Sequence, residues 1–152
     1  MRSKLGAGIL AGILAALPYG LIMSIATAPM GEPMILMVAH IVRSDSLAVA
    51  WILLLLGGAV MGAFFGVLFG SRAAGLRAWL VRGALYGAAW WIVGSLVLMP
   101  LVLGMPAFSP LTTATMRGGA MVGLVAYLIS GVILGGVFAL VRGRSATPRR
   151  GG

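Results

Sequence analysis

The chain has 152 residues, of which 61% are hydrophobic and 9% are charged, and its mean hydropathy is +1.13. A soluble domain carries about 25% charged residues, so this composition excludes a soluble protein and predicts an integral membrane protein. The net charge of +9 would suit a nucleic-acid partner, but the cations flank hydrophobic runs, so we predict no nucleic-acid binding.

Four apolar runs are long enough to cross a bilayer, at about residues 5–28, 47–70, 80–103 and 119–141. At 1.5 Å per residue each run covers roughly 35 Å, and the hydrocarbon core of a bilayer is about 30 Å thick. The sequence therefore predicts an all-α, integral membrane four-helix bundle. It forms a single transmembrane domain, residues 1–143, followed by a cytoplasmic tail, residues 144–152, that is expected to be disordered.

The first span carries small residues at fourfold spacing, which place them along one helix face: Gly8, Gly12, Ala16 and Gly20. Pro18 lies inside this span and is expected to bend the helix. The N-terminus also imitates a signal peptide that ends at Ala28. Pro29 would follow the cleavage point and the run is long enough to span, so we predict that this helix is retained.

A short apolar segment, residues 33–42, follows the first span. It is too short to cross a bilayer, so we predict an interfacial or re-entrant helix on the outer face. Pro33 is placed as a first helical residue would be. In the next turn Asp45 or Ser46 is expected to cap the second span.

The second span contains the most regular glycine pattern of the chain: Gly58, Gly62, Gly66 and Gly70. In water each interior glycine disfavours a helix by roughly 1 kcal/mol relative to alanine. In lipid the backbone must satisfy its own hydrogen bonds, so the helix persists and the glycine face lets a second backbone approach closely. The pattern therefore predicts a helix-packing surface.

The third and fourth spans carry three more glycine pairs at fourfold spacing: Gly83 with Gly87, Gly119 with Gly123, and Gly131 with Gly135. Tyr86, Trp90 and Trp91 fall near the middle of the third span, where we expect them to fill space between helices. Between these spans Ser109-Pro110 predicts the start of a second short outer helix that ends near Met116.

The two halves of the chain, residues 1–72 and 77–145, match at nearly constant spacing, which predicts an internal duplication. Four residues of the second span correspond in this way to four of the fourth: Gly58, Gly62, Phe65 and Gly70 to Gly131, Gly135, Phe138 and Gly143. Two loop residues also correspond: Gly31 and Pro33 to Gly104 and Pro106. Each half would be a span, a short outer helix and a second span, and the halves would be related by an axis along the membrane normal.

The positive charges predict the orientation of the chain. Apart from Arg43 and Arg117, every lysine and arginine lies before the first span, between or at the edges of the second and third, or after the fourth. The positive-inside rule then places both termini in the cytoplasm and the protein in the inner membrane. Its first predicted partner is the lipid bilayer, and some of these cations are expected to contact anionic headgroups.

The run from Arg82 to Pro106, RGALYGAAWWIVGSLVLMPLVLGMP, resembles a recurring segment of small prokaryotic four-helix membrane proteins. These belong to uncharacterised families, known as domains of unknown function. The resemblance covers mainly the third span and its outer loop, and a glycine-patterned helix precedes the segment in both. It implies the same four-helix architecture and carries no catalytic residues to this chain.

No arrangement of residues in the sequence predicts catalysis, so we predict a protein that is not an enzyme and holds no cofactor. Glu32 and Asp45 are the only acidic residues, and both lie outside the spans, where helix capping or pairing with Arg43 is expected. A proton relay would need ionisable groups within the spans. The chain lacks cysteine, has no phosphate-binding loop, and offers its serines and threonines no paired base.

Methionines near the outer face leave a metal site open as an alternative. Thioethers bind Cu(I), and the candidate ligands are Met34, Met37, His40 and Met105. Methionine also fills gaps between glycine-rich helices, which explains the same residues without a metal. The lone histidine and the two carboxylates follow no known ligand spacing, so we predict no metal site and keep copper handling as the alternative.

The glycine faces on several helices exceed what one four-helix bundle needs. They favour an accessory or structural subunit of a larger membrane complex, or a homo-oligomer, with other transmembrane helices as partners. The alternative is a small-solute or ion transporter or channel, with a path between the two halves near Pro18, Ser95 and Ser130. Outer-face copper handling is the second alternative.

Overall fold

The structure, a computed structural model, describes residues 2–28, 31–71 and 75–145, with side chains described from residue 4 to residue 142 of those ranges. It is all-helical, and four of its helical stretches are long and apolar enough to span a membrane: Lys4–Ile25, Leu47–Phe69, Leu76–Val102 and Ala114–Arg142. The prediction of an all-α chain with four spanning helices is thus confirmed. Pro29, Arg72, Arg149 and Arg150, and tail residues 146–152, lie outside the described residues.

The described ranges contain seven α-helices and one π-helical segment. They are α1 (Arg2–Ile25), α2 (Leu36–His40), α3 (Leu47–Phe69), α4 (Leu76–Trp90), the π-helical segment (Trp91–Leu98), α5 (Met99–Val102), α6 (Ser109–Thr112) and α7 (Ala114–Ser145). The third span is therefore one continuous rod of three elements, α4, the π-helical segment and α5. Ser46 caps α3 as expected, since its hydroxyl accepts the Val49 N–H at 3.5 Å.

Both short loop helices differ in length from the sequence expectation. Helix α2 begins at Leu36 rather than at Pro33, because Pro33 forms an isolated β-bridge with Thr27 across the preceding turn. Helix α6 ends at Thr112, where Thr113 takes an extended conformation. The segment around Met116 consequently belongs to the last spanning helix, α7, which also extends through residues 144 and 145 of the predicted tail.

Helices α1 and α3 form an antiparallel hairpin whose backbones touch through glycine. A Cβ atom built on Gly12 would overlap the carbonyl oxygen of Gly58. One built on Gly62 would overlap the Gly8 carbonyl and lie 2.7 Å from Gly12 Cα, and one on Gly66 would lie 2.5 Å from the Lys4 carbonyl. Real Cβ atoms essentially never approach other atoms so closely. The absence of side chains at these positions therefore sets the distance between the two helices.

Helices α4 and α7 form a second antiparallel hairpin by the same kind of contact. A Cβ on Gly83 would overlap the Gly131 carbonyl, and one on Gly87 would overlap the Tyr127 carbonyl. A Cβ on Gly135 would likewise overlap the carbonyl of Trp79. In the sequence match between the two halves, Gly83 corresponds to Gly8 and Gly135 corresponds to Gly62. The Cβ position of Gly8 faces the Gly62 carbonyl, but that of Gly83 faces the carbonyl of Gly131 rather than of Gly135. The contact register of the two hairpins therefore differs by one helical turn.

The hairpins join through α1 and α7. Three alanines of α1 form one buried face, Ala7, Ala11 and Ala15, at 6%, 0% and 5% exposure. They belong to the same buried cluster as Leu134 and Phe138 of α7. Small side chains on one helix and large ones on the other let these helices pack closely at their centre.

Helix α3 meets α4 through aromatic side chains. The Phe65 ring lies 5.2 Å from the Tyr86 ring and 5.5 Å from the Phe138 ring, centroid to centroid. The Tyr86 hydroxyl also donates a 2.7 Å hydrogen bond to the carbonyl of Met61 on α3. The gap between the hairpins is thus filled by rings at this level rather than by backbone contact.

The basic ends of the spans lie together. Lys4 Nζ donates a hydrogen bond to the Ser71 hydroxyl at 3.1 Å. Arg142, near the end of α7, donates to the carbonyl of Gly70 and lies over the Phe138 ring. The start of α1, the end of α3 and the end of α7 therefore share one end of the bundle, which we call the basic end.

Substitution of a contact glycine should separate the helices of the first hairpin. Gly12→Ala places a methyl group on the Gly58 carbonyl, and such overpacking destabilises proteins by about 1–3 kcal/mol. Gly6→Ala is the matched control on the same helix, because no other heavy atom lies within 4 Å of its Cβ position. Equilibrium unfolding in mixed micelles measures both. Equal free energies of unfolding for the two variants would contradict the backbone contact.

Candidate functional site

A cavity of about 630 Å³ lies between the two hairpins. Its back wall consists of residues from α1 and α7, its sides come from α3 on one flank and from α4 with the π-helical segment on the other, and α2 and α5 line its far end. Nearly all of the surface that faces it is apolar. The cavity exists because each hairpin packs tightly within itself while α3 and the third span stay apart.

Aromatic side chains close the cavity toward the basic end. Tyr86 and Met61 both line the cavity, and the hydrogen bond between them joins its two flanks. Behind them lies Phe65, which is fully buried against Phe69, Trp79 and Phe138. This arrangement, which we call the aromatic floor, separates the cavity from the arginines of the basic end.

The front of the cavity lies between α3 and the π-helical segment. Val60 on α3 is 54% exposed and Leu98 on the π-helical segment is 49% exposed, although both line the cavity. Three lining residues at the far end of the cavity are similarly exposed: Ile41, Val42 and Val102. Val60 and Leu98 belong to stretches that are long and apolar enough to span a membrane.

Pro100, just after the π-helical segment, interrupts the regular α-helical hydrogen bonds of the third span. Proline has no N–H and its ring displaces the carbonyl four residues earlier, which here is that of Leu96. That carbonyl instead accepts a 2.6 Å hydrogen bond from the N–H of Phe108 in the following loop. At the end of the segment the N–H of Met99 bonds five residues back to Gly94. The segment spans eight residues, and π-helical turns occur frequently at functional sites.

Three hydroxyl groups form a polar cluster on the wall of the cavity. The rings of Tyr19 and Tyr127 meet edge to face with centroids 4.8 Å apart, and the Ser95 hydroxyl lies beside that of Tyr19. A Cβ on Gly94 would lie 3.2 Å from the Tyr127 hydroxyl, so this hydroxyl rests on the π-helical segment. We call Tyr19, Tyr127 and Ser95 the hydroxyl cluster.

Ser130 adds an unsatisfied polar group to the same wall. It lies one turn along α7 from Tyr127 and lines the cavity. Its hydroxyl oxygen is buried and has no hydrogen-bond partner among the described residues. A buried hydroxyl without a partner is unfavourable by about 1–3 kcal/mol, so this position favours a molecule that supplies one.

The predicted helix-packing glycines fall into three groups. Some face other backbones and also line the cavity, which means that the cavity wall is partly bare main chain: Gly12, Gly58, Gly62, Gly87 and Gly131. Others face backbones away from it: Gly8, Gly66, Gly83 and Gly135. The rest face side chains or their own helix, since Gly119 meets Met34, Gly123 meets Trp91, and Gly70 meets Gly66 and Lys4.

The candidate copper ligands have ordinary packing roles in the contacts described. Met34 packs over Gly119, with its methyl carbon 3.0 Å from the position of a Cβ there. His40 Nε2 lies 3.2 Å from a carboxylate oxygen of Asp45. Met37 and Met105 are partly buried. Among the described residues no group of three histidine, cysteine or acidic side chains is placed to hold a metal, and copper handling stays a prediction.

Sequence reasoning placed Ser95 and Ser130 on a path between the halves, and both line the cavity, whereas Pro18 does not. It missed the tyrosine pair and the π-helical segment. Pro100 was the available signal for the latter, because a proline near the end of a span frees a carbonyl. The tyrosines carried no signal, since their meeting depends on how α1 packs against α7.

The fold and the cavity together define an α-helical membrane protein with four spanning stretches and an apolar cavity between two helical hairpins. Comparison of the chain with family models, with curated proteins and with solved structures finds no match.

A residue with an N–H at position 100 should weaken the hydrogen bond between the Phe108 N–H and the Leu96 carbonyl. In Pro100→Ala the new N–H competes for the Leu96 carbonyl, so the Phe108 amide should exchange with solvent about three- to tenfold faster. Hydrogen–deuterium exchange of peptides that contain Phe108 measures this effect. Pro106→Ala is the control, because Pro106 is exposed in the same loop. Equal exchange in both variants would refute the link between Pro100 and the loop.

Proposed function

We propose that the protein is a non-catalytic membrane protein that binds a lipophilic small molecule between its two hairpins. The observation that carries this proposal is the apolar cavity of about 630 Å³, whose walls come largely from spanning elements. Sites for small molecules measure about 300–1,000 Å³ and combine apolar walls with a few placed polar groups. A molecule dissolved in the bilayer could enter sideways without crossing water.

The hydroxyl cluster and Ser130 narrow the chemistry of that molecule. They offer neutral donors and acceptors, and none of the described residues that line the cavity is charged. A free ion or a strongly charged solute would lose its hydration there without compensation. The ligand is therefore an uncharged lipophilic molecule with one polar group, such as a hydroxyl or a carbonyl, that reaches this wall.

The sequence favoured an accessory subunit or homo-oligomer because the glycine faces exceeded the need of one bundle. In the fold most of these faces contact each other within the chain, so they do not require a partner helix. Assembly with other helices stays a prediction. The variant Gly62→Leu would not test this assembly by itself, because Gly62 contacts Gly8 and Gly12 and the substitution would also disrupt the first hairpin.

The orientation and the duplication belong to the same proposal. We place the basic end in the cytoplasm of an inner-membrane protein, supported by the positive-inside rule and by the meeting of Lys4 and Arg142 with the end of α3. The cavity then lies above the aromatic floor, toward the outer side.

A duplication is supported by Gly31 and Gly104, which correspond in sequence and both take positive φ, 86° and 74°.

Filling the cavity should remove the bound molecule. Gly57 lines the cavity and a Cβ on it would meet no other heavy atom within 4 Å, so Gly57→Leu adds a side chain without a clash at its base. After purification in mild detergent and organic extraction, mass spectrometry should find about one lipophilic molecule per wild-type chain. We expect at least a tenfold loss of it in Gly57→Leu, equivalent to about 1.4 kcal/mol of binding free energy.

Gly6→Leu is the matched control, because Gly6 is equally open but does not line the cavity. It should retain the molecule at the wild-type amount, and thermal unfolding should show both variants folded. The same extract from all three proteins would refute the proposal.

A transporter is the second candidate, favoured by the position of Ser95 and Ser130 on the cavity wall. It would require the aromatic floor to open, since Tyr86 and Met61 close one end. Proteoliposomes loaded with a mixture of small uncharged solutes test this: carriage predicts protein-dependent efflux that Gly57→Leu abolishes and Gly6→Leu preserves. Efflux equal to that of empty liposomes would remove the candidate.

A further inference from the structure

Arg82, in the second turn of α4, carries an unsatisfied charge at the basic end. Its guanidinium carbon lies 5.2 Å from the centre of the Trp79 ring. Its Nη1 atom is buried and has no hydrogen-bond partner among the described residues. The nearby cations differ, because Lys4 bonds to Ser71 and Arg142 bonds to Gly70.

No acidic side chain among the described residues lies near Arg82 at this end. The chain contains only two acidic side chains, Glu32 and Asp45, and both belong to the loop between α1 and α3 at the opposite end of the bundle. A buried guanidinium nitrogen without a partner is strongly unfavourable. An anion from outside the chain would supply the missing counter-charge through the other guanidinium nitrogens, because Arg82 as a whole is only partly buried.

A small apolar groove starts one helical turn beyond Arg82. Its volume is about 100 Å³, and it is lined by Tyr86, Ala89, Trp90 and Val93. Tyr86, Ala89 and Val93 follow Arg82 at spacings of four, seven and eleven residues, so they share its helix face. The groove therefore lies on the helix face of Arg82, farther toward the centre of the third span.

We propose that Arg82 and this groove form a binding site for one anionic lipid. The guanidinium binds the phosphate of the headgroup, a pairing for which arginine has a matching planar donor set. An acyl chain follows the groove over Ala89 and Val93. The groove shares Tyr86 and Trp90 with the wall of the central cavity, whereas Ala89, Val93 and Arg82 do not line that cavity.

Inorganic phosphate shares the headgroup chemistry but would leave the groove empty. The groove on the same helix face is the observation that favours a lipid over a free anion. Because both sources can be supplied separately, a single set of vesicle experiments distinguishes them.

The experiment measures tryptophan quenching by brominated lipids, since Trp79 and Trp90 lie at the site. The full chain is reconstituted in phosphatidylcholine vesicles that contain either brominated phosphatidylglycerol or brominated phosphatidylcholine. One arginine near a membrane surface contributes about 1 kcal/mol of attraction to anionic lipid, so wild type should prefer the brominated anionic lipid by about fivefold. Arg82→Gln should lose this preference and Arg82→Lys should retain part of it.

Arg77→Gln is the matched control, because Arg77 is an exposed arginine on another face of the same helix and should lower the preference less than Arg82→Gln does. Ala89→Phe fills the groove with Arg82 in place, adds no tryptophan, and should also lose the preference, which decides the question if Arg82→Gln does not fold. The proposal is overturned if wild type shows no preference, if Arg82→Gln and Ala89→Phe both keep it, or if millimolar inorganic phosphate abolishes it.

Discussion

The fold depends on direct contact between helix backbones. Within each hairpin the glycines of one helix lie against the carbonyl groups of the other, at distances that no side chain would permit. In a bilayer the apolar solvent gives little drive for apolar helices to associate, so close packing of small residues supplies much of the attraction. The low helix propensity of glycine does not unwind these helices, because in lipid the backbone must satisfy its hydrogen bonds within the helix.

The same constraint explains where the molecule is open. Glycine contact joins α1 with α3 and α4 with α7, but α3 and α4 carry large rings toward each other, and Phe65 and Tyr86 hold them apart. Beyond these rings the third span leaves α-helical geometry at Trp91. The helices pack closely within each hairpin, whereas α3 and the third span stay apart, and the cavity lies between them.

The sequence predicted the parts of this fold that arise from local physics. The spans follow from the length of apolar runs, and the Ser46 cap follows from its place before one of them. The contact between Gly12 and Gly58 was harder to predict from the sequence, because a row of glycines can pack against a second helix in several registers. The site was least accessible: Tyr19 and Tyr127 come from helices that meet only in the tertiary structure, and the route from Pro100 to Phe108 passes through a loop.

The bare main chain in the cavity wall restricts how this protein can diverge. Gly12, Gly58 and Gly131 line the cavity and also hold the helices together, so neither role can change without the other. Relatives that accommodate a different guest would have to vary the remaining wall positions, above all Tyr19, Ser95 and Leu98. For the ligand proposed above, selectivity can therefore change at these positions, while the glycine positions of the wall stay fixed.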